Sequence, residues 1–197
     1  MLRLLSKISR IISNLFGIPI SRLLVIIIFF FRFIFLGWNN ANDYISRLSK
    51  PYIIPILKLY GAKIGKNCDI ESGIRFHNCR NYKNLSVGNN CHIGKDCFFD
   101  LRGEVHIQNN VVISMNTTFI THQDINNSNL SSLYPASYAN IVVKSNCYIG
   151  VNSTILKGVT VNDTALIAAC SLVIKDVHSR TIVGGVPAKL IKTIDGI

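Results

Sequence analysis

Acidic residues are scarce in this chain: 10 Asp and Glu stand against 21 Lys and Arg, a formal net charge of +11 over 197 residues. The first 63 residues hold one acid, Asp43, among nine basic residues, a balance of 9 − 1 = +8, and the remainder contributes 12 − 9 = +3. The basic excess is therefore local. It flanks the run LLVIIIFFFRFIFLGW at 23–38, the wrong setting for nucleic acid and the right one for anionic lipid. Metal-site spacings are also missing. No C-x-x-C occurs among the six cysteines and no pair has zinc-site spacing, which excludes a structural zinc. Unpaired buried cysteines behave as small hydrophobes, and a reducing, cytosolic compartment is expected. No small-x-small cleavage site follows the apolar run before Asn39, which argues against a cleaved signal peptide.

The chain has instead a period of six. Aliphatic residues recur at Val143, Ile149, Ile155, Val161, Ile167 and Val173, and the same register runs upstream through Ile64, Ile70, Val87, Ile93, Phe99, Ile107, Ile113 and Phe119. Six matches neither the 3.6 of a helix nor the 2 of an ordinary strand, and it is the signature of a parallel β-helix of short strands and tight corners. Coil starts at Ile64, Val87, Ile107, Val143 and Val161 differ by 23, 20, 36 and 18. Against an 18-residue coil the surplus is 5, 2 and 18 residues, at 76–86, 99–106 and 119–142. All three excursions leave from one corner of the prism, and insertions confined to one face of a repeat protein mark its binding face.

Corner residues agree with this register, because Gly and Asn, which tolerate φ > 0, follow the aliphatic positions. The fifth place of each hexapeptide points inward and holds Cys68, Cys91, Cys97, Val111, Thr117, Cys147, Ser153, Val159, Ala165 and Ser171. Four of the six cysteines are thereby accounted for as packing residues; Cys79 and Cys170 are not. Phe99 and Phe119 are expected to stack in adjacent coils at ~4.8 Å.

The ladder, the segments FFDLRGEVHI at 98–107 and NTTFITHQD at 116–124, and the closing IVGGVPAKLIK at 182–192 resemble the left-handed β-helix, hexapeptide-repeat acyltransferases. The likeness is greatest to sugar and polysaccharide O-acetyltransferases such as the galactoside and colanic acid enzymes, and it covers about residues 64–192. It implies acetyl-CoA as cosubstrate, no metal, a homotrimer with its active sites between protomers, and His122 as the catalytic base. An imidazole, with a reference pKa of ~6.5, suits removal of a proton from a hydroxyl attacking a thioester. His122 occupies the fourth place of a third hexapeptide, at the mouth of the longest insertion, and a loop histidine held by backbone is the structural alternative.

Asp100, one place after Phe99, is a second catalytic candidate, although galactoside-type members carry Asn there. Asp124, two places after His122, is a third, able to orient the imidazole. Relatives commonly have a second histidine directly after the first, where Gln123 and Asp124 stand here. For acetyl-CoA the resemblance implies the last coils: Ala168 and Ala169, where relatives show Gly-Ala, with Lys175, Arg180 and Lys189 toward the phosphates. The five histidines contain no H-x4-H pair, the pattern of the γ-carbonic anhydrases that share the ladder.

Residues 23–38 as a helix would be roughly 24 Å long, short of a ~30 Å hydrocarbon core. Arg32 interrupts the run, and basic residues flank both sides. A monotopic or interfacial anchor on the cytoplasmic face of the inner membrane is the expectation; a packing helix buried in an oligomer is the alternative. A second helix is expected from Asn42-Asp43 to near Lys50-Pro51, and a short helix over Ala188–Ile194. The expected architecture is thus an all-β, left-handed parallel β-helix domain at 64–197, a basic, hydrophobic helical segment at 1–63, and a short C-terminal helix. The expected reaction is direct transfer of acetyl from acetyl-CoA to a sugar hydroxyl of a cell-surface polysaccharide or its lipid- or nucleotide-linked precursor. N-acetylation of an amino-sugar nucleotide and a non-catalytic scaffold at the membrane are the two alternatives.

Overall fold

The computed structural model describes residues 19–195. The chain divides into two compact units, with the division between Tyr44 and Ile45. Helix α1, Ile20–Ile45, makes up nearly all of the described part of the first unit, and its last residue is the first of the second. Gly37, at φ 82° and ψ 169°, breaks it internally, a conformation open to glycine because it has no Cβ. The unbroken stretch 20–36 is therefore roughly 25 Å long at 1.5 Å per residue. Leu23, Leu24, Ile28, Phe30, Phe31, Ile34, Phe35 and Leu36 are all exposed on it. Arg32, which interrupts the run in sequence, is turned back on its own unit: Nη1 donates to Asn40 Oδ1 at 2.8 Å, and the guanidinium lies 4.5 Å from the Tyr44 ring centroid.

Lys50-Pro51 begins the next helix rather than ending one, since α2 spans Lys50–Leu59 with Pro51 in its first turn. Proline is favoured there because the first N–H groups of a helix have no partner to lose. Ile53, Ile56 and Leu57 are buried on α2. Lys50 Nζ reaches carboxylate oxygens of Asp69 at 2.6 Å and Glu71 at 2.9 Å, which ties the start of α2 to the first coil.

The repeats form three parallel sheets visited in turn. The first takes Lys63–Ile64, Leu85–Val87, Val105–Ile107, Ile141–Val143 and Thr160–Val161. The second takes Asp69–Ile70, His92–Ile93, Val112–Ile113, Tyr148–Ile149, Leu166–Ile167 and Thr181–Gly184, and the third Arg75–His77, Phe98–Asp100, Thr118–Ile120, Thr154–Leu156 and Leu172–Val173. Pairing follows the six-residue register: Ile64 opposes Val87, Val87 opposes Ile107, Ile107 opposes Val143, and Val143 opposes Val161. The 36-residue step is thus one coil with a long excursion.

The ladder residues form the core, with Ile93, Phe99, Ile113, Phe119, Ile149, Ile155, Val161 and Ile167 fully buried. Each contributes about 1.5–3 kcal/mol by leaving water. Phe99 and Phe119 stack with centroids 4.7 Å apart and planes 6° from parallel, and Phe76 continues the column at 5.9 Å. The fifth-place residues are buried from Cys91 to Ser171, and Cys68, in the first coil, is half-buried. Burial pushes the Cys97 thiol up to about 11 and raises those of Cys91 and Cys147, so these thiols pack rather than react. Cys79 is half-buried and Cys170 exposed.

At the corner between the first and second sheets Asn67, Asn90, Asn110, Asn146, Thr164 and Arg180 all adopt positive φ, from 54° to 61°. The first four form a ladder in which each side-chain amide donates to the next Asn at 3.1–3.2 Å. Past Gly184 the chain turns back as a strand, Lys189–Thr193, antiparallel to Thr181–Gly184 with a bulge. This replaces the expected C-terminal helix: so short a segment cannot sustain an isolated helix, whereas the last strand of the second sheet offers open backbone groups.

Candidate active site

Three excursions, 78–84, 101–104 and 121–140, leave the third sheet on the way to the first. The longest folds as a hairpin, His122–Gln123 against Ser137–Tyr138, with a 3-10 turn Asn129–Ser132 capped by the Ser128 hydroxyl. Each excursion sends a side chain to one point: Asn78 from the first, Asp100 at the root of the second, and Thr121 and His122 from the third.

Asp100 is fully buried. Its Oδ2 accepts from the Thr121 N–H at 2.8 Å, the Thr121 hydroxyl at 2.5 Å and His122 Nδ1 at 2.7 Å, and Oδ1 accepts from Asn78 Nδ2 at 2.9 Å. Burial alone would raise its pKa. The hydrogen bonds from Thr121, His122 and Asn78 outweigh that and hold the carboxyl below its ordinary value. A carboxylate only accepts, so His122 Nδ1 carries a proton and donates it to this bond, which leaves Nε2 free to accept another. The His122 side chain is 21% exposed, enough to meet a ligand from the corner. The Thr121 oxygen also accepts from the Gly103 N–H at 3.0 Å, which links the second excursion to the third.

Asp124 is engaged elsewhere. Arg102 Nη1 donates to its Oδ2 at 3.1 Å and the Asn126 N–H to its Oδ1 at 3.1 Å, so the carboxylate on the imidazole is that of Asp100. The Asn126 and Arg102 donors hold the Asp124 carboxyl below its ordinary value. Arg102 Nη2 also lies 3.5 Å from Asn78 Oδ1. Asn78, Thr121 and Arg102 escape sequence reasoning. Thr121 shares a motif with His122, but only the fold brings its two donors together on Asp100, and Asn78 stands in an unpatterned stretch.

The residues expected at acetyl-CoA are spread around the last coil. Ala168 and Ala169 follow the second-sheet strand Leu166–Ile167, Lys175 follows the third-sheet strand Leu172–Val173, and Arg180 stands at the asparagine corner with φ 56°. The Ala168 N–H is spent on Val183 O at 2.8 Å. Lys175 shares a cavity of about 180 Å³ with Val173, His178, Ala188 and Leu190, the last two flanking Lys189. Among the described residues no cluster of His, Cys, Asp and Glu could hold a metal ion. His92 faces Asp69 at 3.2 Å, and His106 lies between Ser86 and Glu104 at 2.7 and 2.8 Å.

A family profile described as the hexapeptide repeat of succinyl-transferase matches residues 84–118 and 140–173. Galactoside O-acetyltransferase of Escherichia coli strain K12 is 28% identical over 151 residues, 71% of this chain and 68% of that protein. A 2,3,4,5-tetrahydropyridine-2,6-dicarboxylate N-acetyltransferase of Enterococcus faecalis is 46% identical over 61 residues, but the match takes in 31% of this chain and spans only 26% of that protein. The structure of a galactoside acetyltransferase in complex with coenzyme A superposes with a TM-score of 0.69 at 26% identity, covering 77% of this chain and 76% of that one. With the three-sheet ladder and the site at the one corner that carries excursions, the chain is thus similar in repeat and in fold to the hexapeptide-repeat acyltransferases.

Proposed function

We propose that this protein is an acetyl-CoA-dependent O-acetyltransferase that acts on a sugar hydroxyl of a cell-surface polysaccharide or its precursor. The observation that carries the reading is the buried Asp100 carboxylate on His122 Nδ1 at 2.7 Å, at the one corner where all three excursions gather. With Nδ1 occupied, Nε2 is the base. It takes the proton of the acceptor hydroxyl as that oxygen attacks the thioester carbonyl carbon. Asp100 stabilises the imidazolium so formed. When the C–S bond breaks, the same proton passes to the departing thiolate, which leaves as free CoA. No covalent acyl-enzyme is required.

Support for a sugar acceptor comes from the galactoside enzymes, which match over two thirds of their length or more. The shorter but closer match to an N-acetyltransferase supports a second reading, an amine acceptor. The coil is read as left-handed, and the assembly as a homotrimer: Ala168 and Ala169 lie at a different corner from Lys175 and from Arg180, and the faces of two protomers could gather such residues around one CoA. We read α1 as an anchor at an anionic membrane surface on the cytoplasmic side. Its apolar residues are exposed, its unbroken stretch falls short of a full span, and Arg32 is partnered by Asn40 and Tyr44.

The test is release of free thiol from acetyl-CoA with a panel of lipid-linked and nucleotide-linked sugars and amino sugars. His122→Ala is expected to lower turnover about 10²–10⁴-fold, the usual contribution of a positioned general base, with acetyl-CoA binding retained. Near wild-type turnover in that variant removes the mechanism and favours a scaffold.

A further inference from the structure

Asn78 belongs to the excursion after the first strand of the third sheet and has no role in the reading above. Its Nδ2 is 2.9 Å from Asp100 Oδ1 and 3.4 Å from both Nδ1 and Nε2 of His122. Equal distances to the two ring nitrogens place the amide against the imidazole rather than along the lone pair of either. The direction of the amide is settled by its neighbours. Asp100 Oδ1 can only accept, so the NH₂ faces it, and the Asn78 oxygen turns to Arg102 Nη2 at 3.5 Å. The backbone of Asn78 has φ 54°, a left-handed conformation that asparagine enters more readily than most residues.

We propose that Asn78 is a positioning residue for the Asp100–His122 pair, one that locks the carboxylate in place and keeps the imidazole neutral and base-competent. This rests on the reading of His122 as the base. Two effects follow from the geometry. Satisfying Oδ1 stops the carboxylate from rotating, so Oδ2 stays on Nδ1 and Nε2 keeps its outward direction. The amide also presents the positive end of its N–H dipoles to the ring, which disfavours a protonated imidazole. The other charged or titratable groups facing His122 are Asp100, which favours protonation, Asp124, which is engaged by Arg102, Arg102 itself, and Tyr138, which opposes His122 across the hairpin.

Asn78→Gly tests this, because glycine accepts the same φ while removing the amide. The five histidines of full-length protein in detergent are titrated by two-dimensional NMR of ¹⁵N-labelled imidazoles, with His122 assigned from His122→Ala. Losing the amide is expected to move the His122 midpoint upward by about half a pH unit or more, with His77, His92, His106 and His178 unmoved. Asn78→Ala, which also removes the amide, is expected to give the same displacement. A His122 midpoint that stays with wild type in either folded variant overturns the proposal. The measurement needs no acceptor, so it stands apart from the activity of His122→Ala: full activity there would remove the base reading, while the titration would still report whether Asn78 controls the pair.

Discussion

Asp100 is the residue whose removal should be felt most widely. It is fully buried and accepts four hydrogen bonds, two from Thr121, one from His122 and one from Asn78. Hydrogen bonds to a charged group contribute about 1.5–3 kcal/mol each, but the four share one acceptor and are not additive. Asp100→Ala strands the buried Thr121 donors and the imidazole N–H together, a loss of about 3–5 kcal/mol by analogy with breaking a buried ion pair. For a chain of this length that lowers the thermal midpoint by roughly 6–20 °C. Asp100→Asn keeps one acceptor oxygen, and Asn78 can turn its own oxygen toward the new NH₂, so the cost falls to about 1–2 kcal/mol.

The pH dependence separates charge from shape. The Asp100 carboxyl is held below its ordinary value in the folded protein, so its stabilisation is fully present above the unfolded pKa and is lost as pH falls through the folded one. The gap in thermal midpoint between wild type and Asp100→Asn should therefore shrink as pH falls below about 4. Differential scanning calorimetry at matched protein concentration reads both effects. An Asp100→Ala protein melting within about 2 °C of wild type, less than 1 kcal/mol would produce, or a gap between wild type and Asp100→Asn that widens as pH falls below about 4, would refute the reasoning.

Thr164 holds φ 60° at the corner that four coils below it fill with asparagine. Left-handed backbone costs a β-branched residue about 1–2 kcal/mol, so Thr164→Asn should raise stability by about 1 kcal/mol and the thermal midpoint by ~2–4 °C; no gain on calorimetry would mean that the corner carries no such strain. Deleting residues 1–38 removes the exposed apolar stretch of α1 and should abolish co-sedimentation with anionic liposomes while far-UV circular dichroism keeps its β signature. Undiminished co-sedimentation would sink the lipid anchor.

The repeat was fully legible in the sequence, because its cause is local: each inward position needs an aliphatic or small side chain, each corner needs a residue at ease with positive φ, and both demands recur every six residues. Coil starts, the Phe99–Phe119 stack, the buried cysteines and the single corner that carries the excursions follow from that arithmetic. The chain ends were less legible. The tail reads like a short helix by composition, yet Lys189–Thr193 becomes a strand because an open sheet edge lies beside it, and Lys50-Pro51 starts a helix whose length is decided by what Ile53, Ile56 and Leu57 can bury against. At the site, the sequence singles out His122 and Asp100 individually. Which of Asp100 and Asp124 meets the imidazole was decided only by tertiary structure, since the parallel ladder brings residues 22 apart to 2.7 Å and hands Asp124 to Arg102. Asn78, 44 residues from His122, enters the same cluster for the same reason. Stacking coils turns multiples of the coil length, plus each excursion's surplus, into contact distances, and no local pattern records which side chains the surplus turns inward.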